Sequence, residues 1–472
     1  MNRKGIFVFI KHLIKTFVMK YFLNPDVLDS TSALAVFIKR LCFKLILIRS
    51  HITNYRDRFY TVSDLSAIIG YIPLKTRRII NQSPGTILIS ALGFGEIINS
   101  ISLIRGIQTI SSYPIVIISR QPQLTRQLTQ SMGLSVIALP YPYHFCVWRP
   151  FISYWLNTLR PVSILCIENM IELRADMLEL AKTKHKTSVL LINAHAYRKS
   201  TFLWHILEET KDQNKRRFKC VDRAGAVSDE ARKYLLGYGV PDSNIIMVNN
   251  LKFDTAKHII KIEECERIRQ QLGISRDAQV LICGSVHPGE EVILLNAFKD
   301  VIRRPGMENI RLIIAPRELY TLNPIITSIK SLGFSIVLKT ASPRISRDSS
   351  AIIIVDTIGE LKTIYSIADV VIVAGSMLDH LIGHNPIEPA SLGKPVIAGP
   401  YMSSFNDVMD KFLHRKAMIQ LQNTEELANQ VAALLKHPEI RERMGSLAKA
   451  IVEECSGATA KYLDILGRLL PK

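Results

Sequence analysis

From residue 85 onward, short runs of β-branched residues recur with longer amphipathic stretches between them. This recurrence constrains the fold more than any other feature of the chain. The runs cover 86–90, 114–119, 134–139, 162–167, 188–193 and 244–248, then 279–285, 311–315, 334–338, 351–356, 369–374 and 394–399. Their near-continuous apolar character predicts strands buried on both faces, hence parallel sheets with helices between them. The runs fall into two sets. The polar stretch 208–217 interrupts the series, and a charged helical segment near 250–275 makes a plausible bridge. Two doubly wound α/β domains facing a common cleft follow from this pattern. In such sheets ligands bind beyond the carboxyl ends of the strands, so the chemistry is sought in the residues that follow each run.

Composition narrows the class. The chain is 472 residues long, enough for two or three domains, and 48% hydrophobic, which excludes disorder. Its 60 Lys and Arg against 41 Asp and Glu leave +19, a balance that favours anionic partners such as nucleic acid, anionic lipid or a phosphorylated substrate. No RNA- or DNA-binding signature accompanies the charge, so no nucleic-acid partner is expected. The seven cysteines show no C-x-x-C or zinc-type spacing and read as reduced, mostly buried thiols. Asp-x-Asp, Walker A and H-E-x-x-H are absent, so no metal site is argued from motif and no cofactor is called for.

The first 60 residues carry eleven Lys and Arg against three Asp. Residues 5–23 and 33–48 are apolar but broken by cations, too short of uncharged length to span a bilayer. Lys4, Lys11 and Lys15 share one helical face, while Ile6, Ile10, Leu13, Ile14 and Phe17 fall on another. The expectation is a pair of basic amphipathic helices lying on an anionic membrane surface; core helices with a basic outer face are the competing reading. A cleaved signal peptide is not expected.

Several strand ends carry polar turns. Glu96 follows the first run in "ALGFGE", and Glu168 follows the fourth. Asn193 ends the fifth, with Arg198 and Lys199 close behind, and Lys252 lies in "NNLKFD" near the junction of the two sets. In the second half, "GSVHPGEE" offers backbone N–H groups at a helix start, with Ser285 and His287 as candidates. Arg317 after Pro316 can clamp a phosphate or carboxylate. "DTIGEL" places Ile358, Gly359 and Glu360 at another strand end, and Gly375 and Ser376 follow the next. "DHLIGHNPIEPASLGKPVIAGP" gathers His384, Asn385, Pro386, Ile387 and Glu388 just where a helix begins. Each turn alone reads as an ordinary helix start. Together they supply N–H groups for phosphate, a carboxylate for ribose hydroxyls and an amide for a base.

These motifs, in this order, resemble the Kdo (3-deoxy-D-manno-octulosonic acid) transferases of Gram-negative bacteria, from about residue 85 to 410. "NLKFD", "GSVHPGEE", "DTIGEL", "AGSMLDHLIGHNPIEPASLGKPVIAGP" and the following Phe405 carry the likeness. The resemblance implies a GT-B glycosyltransferase with three parts. Residues 1–60 would be membrane-associating helices, 61–240 an acceptor-side Rossmann-like domain, and 241–472 a CMP-sugar-binding one. It implies CMP-Kdo as donor, lipid IVA or a related lipid A precursor as acceptor, a role in lipopolysaccharide core biosynthesis, and a place on the cytoplasmic face of the inner membrane. It assigns the base to Glu96, its support to Glu168 and a stabilising cation to Lys252. It assigns the CMP contacts to Pro316, Arg317, Ile358, Gly359, Glu360, Asn385, Pro386, Ile387 and Glu388. The first half departs from the family: Gly93 replaces Ser, Met170 replaces Glu, and Glu172-Leu173-Arg174 replaces Trp-Pro-Asn. His195 and Lys199 replace arginines, and Pro142 replaces an acidic residue. A divergent or degenerate GT-B membrane protein with another acceptor, or with no transfer activity, is the alternative.

Overall fold

An apolar run becomes a central parallel strand when both of its faces are covered, and residues 279–286 show how. Val280 and Ile282 join one core cluster, while Leu281 and Cys283 join the cluster on the opposite face. The computed structural model describes residues 72–141, 149–168, 170, 173–196, 211–256, 260–341 and 351–471. The expected amino-terminal helices lie outside the described residues, as do Pro142, Glu172, Arg198 and Lys199.

The first sheet holds β1 (Thr86–Ser90), β2 (Ile115–Ser119), β3 (Ile137–Pro140), β4 (Pro161–Ile167), β5 (Ser188–Ala194), β6 (Arg223–Ala226) and β7 (Ile245–Met247), in the order β3-β2-β1-β4-β5-β6-β7. The second holds β8 (Gln279–Val286), β9 (Ile310–Pro316), β10 (Ile336–Leu338), β11 (Ile352–Ile354), β12 (Val370–Val373), β13 (Val396–Ala398) and β14 (Ile419–Gln420), in the order β10-β11-β9-β8-β12-β13-β14. Every pairing is parallel, from Ile87 opposite Ile115 to Ile397 opposite Ile419. Both sheets are therefore doubly wound, and in each the winding reverses beside its first strand. The switch points lie between β1 and β4 and between β8 and β12, where such folds open a crevice for ligand.

Six helices matter for the site: α1 (Phe94–Ile110), α2 (Leu251–Ala256), α3 (Glu290–Ile302), α4 (Ile387–Ser391), α5 (Asn406–His414) and α6 (Ala458–Leu469). The short α2 belongs to both halves: Leu251 is in the core of the first, Phe253 and Ala256 in that of the second.

Two strands escape the sequence pattern. β6 reads "RAGA" and has no apolar run. Its Gly225 leaves room for Tyr462, whose hydroxyl would lie 2.0 Å from a Cβ there. β14 has two residues. The expected boundary at 240/241 also differs from what the chain does. The first sheet continues to Met247, and α6, at the far carboxyl end, returns to the first half, burying Ala458, Tyr462 and Leu466 with α1 and β1. The polar stretch before β6 contains a helix, Lys211–Lys219. No described helix is long and apolar enough to cross a membrane.

Candidate functional site

At the switch point of the first sheet, α1 begins directly after β1. Glu96 stands in its first turn and reaches back, its Oε2 accepting from the backbone N–H groups of Leu92 at 2.7 Å and Gly93 at 3.4 Å. The carboxylate is thereby oriented by the helix start it caps. One turn further on, Asn99 donates from Nδ2 to Glu168 Oε1 at 3.1 Å. Glu168 ends β4 with φ of +65°, an unusual conformation for a residue with a side chain, while its own N–H is fixed to Ile192 O at 2.7 Å. Backbone strain of this kind collects at functional sites. Lys252, on α2, places its Nζ 4.0 Å from Glu168 Oε1 and 4.6 Å from the centroid of the Phe405 ring, which comes from the second half.

Asn193, at the end of β5, is the other left-handed residue here, with φ of +59°. Its Oδ1 accepts from Leu251 N at 2.9 Å, and its Nδ2 meets Asn250 Oδ1 at 3.2 Å and His195 Nε2 at 3.3 Å. Asn250 donates in turn to Asp407 Oδ2 on α5 at 3.3 Å. Burial is the main reason that the His195 imidazole is held below its usual pKa. Glu168 and Asp407 pull it up, and Lys252 presses it down. The sequence reading named Glu168, Asn193 and Lys252 at strand ends or near the junction but missed Asn99, Asn250 and Asp407.

The second half builds its switch point from buried bonds. Glu290, at the start of α3, is fully buried, and its carboxylate accepts four backbone N–H groups: His287 (2.9 Å), Gly375 (2.8 Å), Ser376 (3.0 Å) and Met377 (3.0 Å). It thus ties the loop after β8 to the loop after β12. Ser376 is fully buried and links Val373 O to Gly399 N through its hydroxyl. His287 and His384 meet with their Nε2 atoms 2.7 Å apart, and a Cβ on Gly375 would lie 2.2 Å from His384 Cδ2. Burial, Arg317 and His287 hold His384 down to about 3.

Asn385 precedes the N-cap Pro386 of α4; its Oδ1 accepts from Ile387 N at 3.0 Å, and its Nδ2 donates to Glu388 Oε1 at 3.3 Å. Burial raises the Glu388 carboxyl, with Lys362, Asn385 and Arg317 opposing. Lys362 is lowered by burial and raised by Glu388. Its Nζ donates to Thr255 O at 3.2 Å, and Thr255 Oγ1 donates to Asn99 O at 3.2 Å. Lys362, Thr255, Asn99 and Glu168 thus form a polar path to the switch point of the first half, and Glu388 acts on its Lys362 end through charge.

Other candidates sit apart from this path. Glu360 is paired with Lys339 Nζ at 2.8 Å and bonded to Thr357, which keeps its carboxyl below the usual range. Ile358 is 83% exposed beside Gly359, whose φ is +88°. Pro316 ends β9, and Arg317 projects beyond it with its backbone N–H fixed to Val286 O at 2.9 Å. Ser285 is buried at a kink in β8 with φ of +62°. Pro386 and Ile387 are buried at the start of α4. An open cleft between β7 and α6, lined by Arg223, Met247, Lys461 and Arg468 among others, shares no residue with the site. Among the described residues no group of His, Cys, Asp and Glu is arranged to hold a metal.

Two doubly wound sheets whose switch points are joined across a shared helix define the GT-B class. Solved structures, a glycosyltransferase among them, have this fold. One from Rickettsia africae aligns over 83% of this chain and 100% of its own with a TM-score of 0.56 at 14% identity. Anabaena HepE, solved with UDP-glucose, aligns over 81% and 98% with a TM-score of 0.54 at 12% identity.

Two families match parts of the chain. Residues 64–255 match the 3-deoxy-D-manno-octulosonic-acid transferase (kdotransferase) family, and 351–450 match the glycosyl transferases group 1. The chain is 25% identical over 388 residues to the 3-deoxy-D-manno-octulosonic acid transferase of Haemophilus influenzae, covering 81% of this chain and 87% of that one. It is 27% identical over 269 residues to that of Chlamydophila psittaci, covering 56% and 58%. The chain is thus similar to Kdo transferases over most of its length.

Proposed function

We propose that this protein is an inverting glycosyltransferase that moves Kdo from CMP-Kdo to lipid IVA or a related phosphorylated lipid A precursor. The observation that carries the reading is the position of Lys252. It lies on a helix shared by both cores, beside Glu168 of the first half and over Phe405 of the second. The acceptor hydroxyl attacks the anomeric carbon, the bond from that carbon to the CMP phosphate oxygen breaks, and CMP leaves with the electron pair. Glu96 takes the hydroxyl proton, its carboxylate aimed by the N–H groups of Leu92 and Gly93. Lys252 offsets negative charge at the reacting centre, and Glu168 with Asn99 fixes the ammonium. Arg317 and the backbone N–H groups of the second half hold the CMP phosphate, Glu388 faces the ribose, and Asn385 orients Glu388.

In this reading the half built on the first sheet, through Met247 and with the returning α6, serves the acceptor, and the half built on the second sheet serves the donor. The basic first 60 residues hold the protein at the anionic cytoplasmic face of the inner membrane. The test is Glu96→Gln: transfer to lipid IVA should collapse while CMP still binds, and undiminished turnover removes Glu96 as the base.

A second reading, a different acceptor or none, is favoured by the altered acceptor signature. Met170 and Leu173 are core residues, each 1% exposed, and Arg174 pairs with Asp176 at 2.7 Å. It expects CMP binding and liposome binding without transfer to lipid IVA.

A further inference from the structure

The rings of His287 and His384 come from loops 97 residues apart in the chain. They are parallel within 6°, with centroids 5.0 Å and Nε2 atoms 2.7 Å apart, so they meet edge to edge rather than face to face. That contact requires one ring to donate Nε2–H and the other to accept through a bare Nε2. The accepting ring then carries its hydrogen on Nδ1, and the donating ring has a bare Nδ1. One further proton fits on that Nδ1 without breaking the N–H···N bond; a second would place two N–H groups head to head. The pair is built to take one proton.

What keeps the proton off is burial together with Arg317, whose charge bears on both rings. His380 opposes protonation of His287, while Glu290 and Glu318 favour it. The charges that bear on His384 are those of Arg317 and His287. The cation that suppresses the pair is also the cation that awaits an anion. An anion beside Arg317 would cancel its charge and relieve that part of the suppression, leaving burial to oppose the proton.

We propose that His287 and His384 form, with Arg317, the seat of the donor's phosphate, and that filling this seat draws one proton from solution onto the histidine pair. The inference rests on the donor reading above and adds a linked proton to it. The proton adds a positive charge opposite the phosphate when the phosphate is present, and the empty seat avoids the repulsion of two buried cations. Gly375 belongs to the device, because any Cβ there would displace His384.

The experiment is titration calorimetry of the full protein with CMP, and with cytidine as the phosphate-free control, in buffers of equal pH and different protonation enthalpy between pH 6 and 8. Uptake of up to one proton per CMP is expected beyond the titration of CMP itself, with none for cytidine. His384→Gln and, independently, His287→Gln should abolish that excess. CMP affinity in the parent should change by up to about tenfold per pH unit, and the variants should flatten this dependence. Thermal melts identify a variant that fails to fold, in which case the other carries the comparison. Equal uptake in parent and variants, or equal uptake with cytidine, overturns the proton linkage while leaving CMP as ligand. Absence of CMP binding by the parent overturns the donor reading and the linkage together.

Discussion

The two switch points are held by opposite strategies. In the second half, the polar residues are fastened by bonds within their own domain: Glu290 to four N–H groups, Ser376 to two strands, Asn385 to its own helix. In the first half, the key side chains depend on partners from elsewhere. Glu168 leans on Asn99 and Lys252, Lys252 on Phe405, and Asn193 on Asn250, which Asp407 anchors. The second site is thus complete once its domain folds, whereas the first is complete only when both halves are docked. Damage to the second should appear as lost stability or lost nucleotide affinity, and damage to the first as lost rate.

The largest effect tests the first half. Lys252→Ala should lower the transfer rate by about 10²–10³, as removal of a preorganised stabilising group does, with CMP affinity nearly unchanged in equilibrium titration. A parallel loss of CMP affinity would erase the contrast between the two sites. Next comes Glu290→Gln, which turns a carboxamide NH₂ toward N–H groups that now have an acceptor. A loss of roughly 3 kcal/mol, from a buried unmatched donor, is expected in chemical denaturation; a neutral result would mean that the second site is not set by this carboxylate.

Arg317→Ala should weaken CMP binding by about 10- to 100-fold, the range for a charged hydrogen bond, while unfolding stays close to that of the parent. The smallest effect concerns pH. His384 titrates near 6.5 when unfolded but is held to about 3 in the native protein. The unfolded chain therefore binds the proton first as the solution is acidified. Stability should be complete above pH 6.5 and decline toward pH 3, by up to ~1.4 kcal/mol per pH unit from this group. His384→Gln should reduce that slope in denaturant titrations at pH 7, 6 and 5; an unchanged slope would assign the acid sensitivity to His195 or His287.

The same contrast explains what could be read from the chain. Strands such as β8 and β13 were legible because burial on both faces forces uninterrupted apolar residues; Val396 and Ala398 face one core and Ile397 the other. β6 was not, because its requirement is space: Gly225 yields to Tyr462, 237 residues later, and no local pattern encodes that. The second site was legible as contiguous motifs because the bonds that shape each helix start, His287 to Glu290 and Asn385 to Ile387, are short in sequence. The His287–His384 contact and the Glu290 tie to Gly375 span 97 and 85 residues, so sequence gave the residues without their pairing. In the first half, Glu168 and Lys252 stood out at strand ends. Asn99, Asn250 and Asp407 are ordinary polar residues until folding brings them to partners 69 and 157 positions away in the chain.

The central claim is that an acid from the first half works on a sugar nucleotide held by the second. Its most direct test is the mass of lipid IVA after incubation of the purified protein with CMP-Kdo. The expected result is a product heavier by one or more Kdo residues, formed only when both substrates are present. Unchanged lipid IVA from folded protein that binds CMP would contradict the claim.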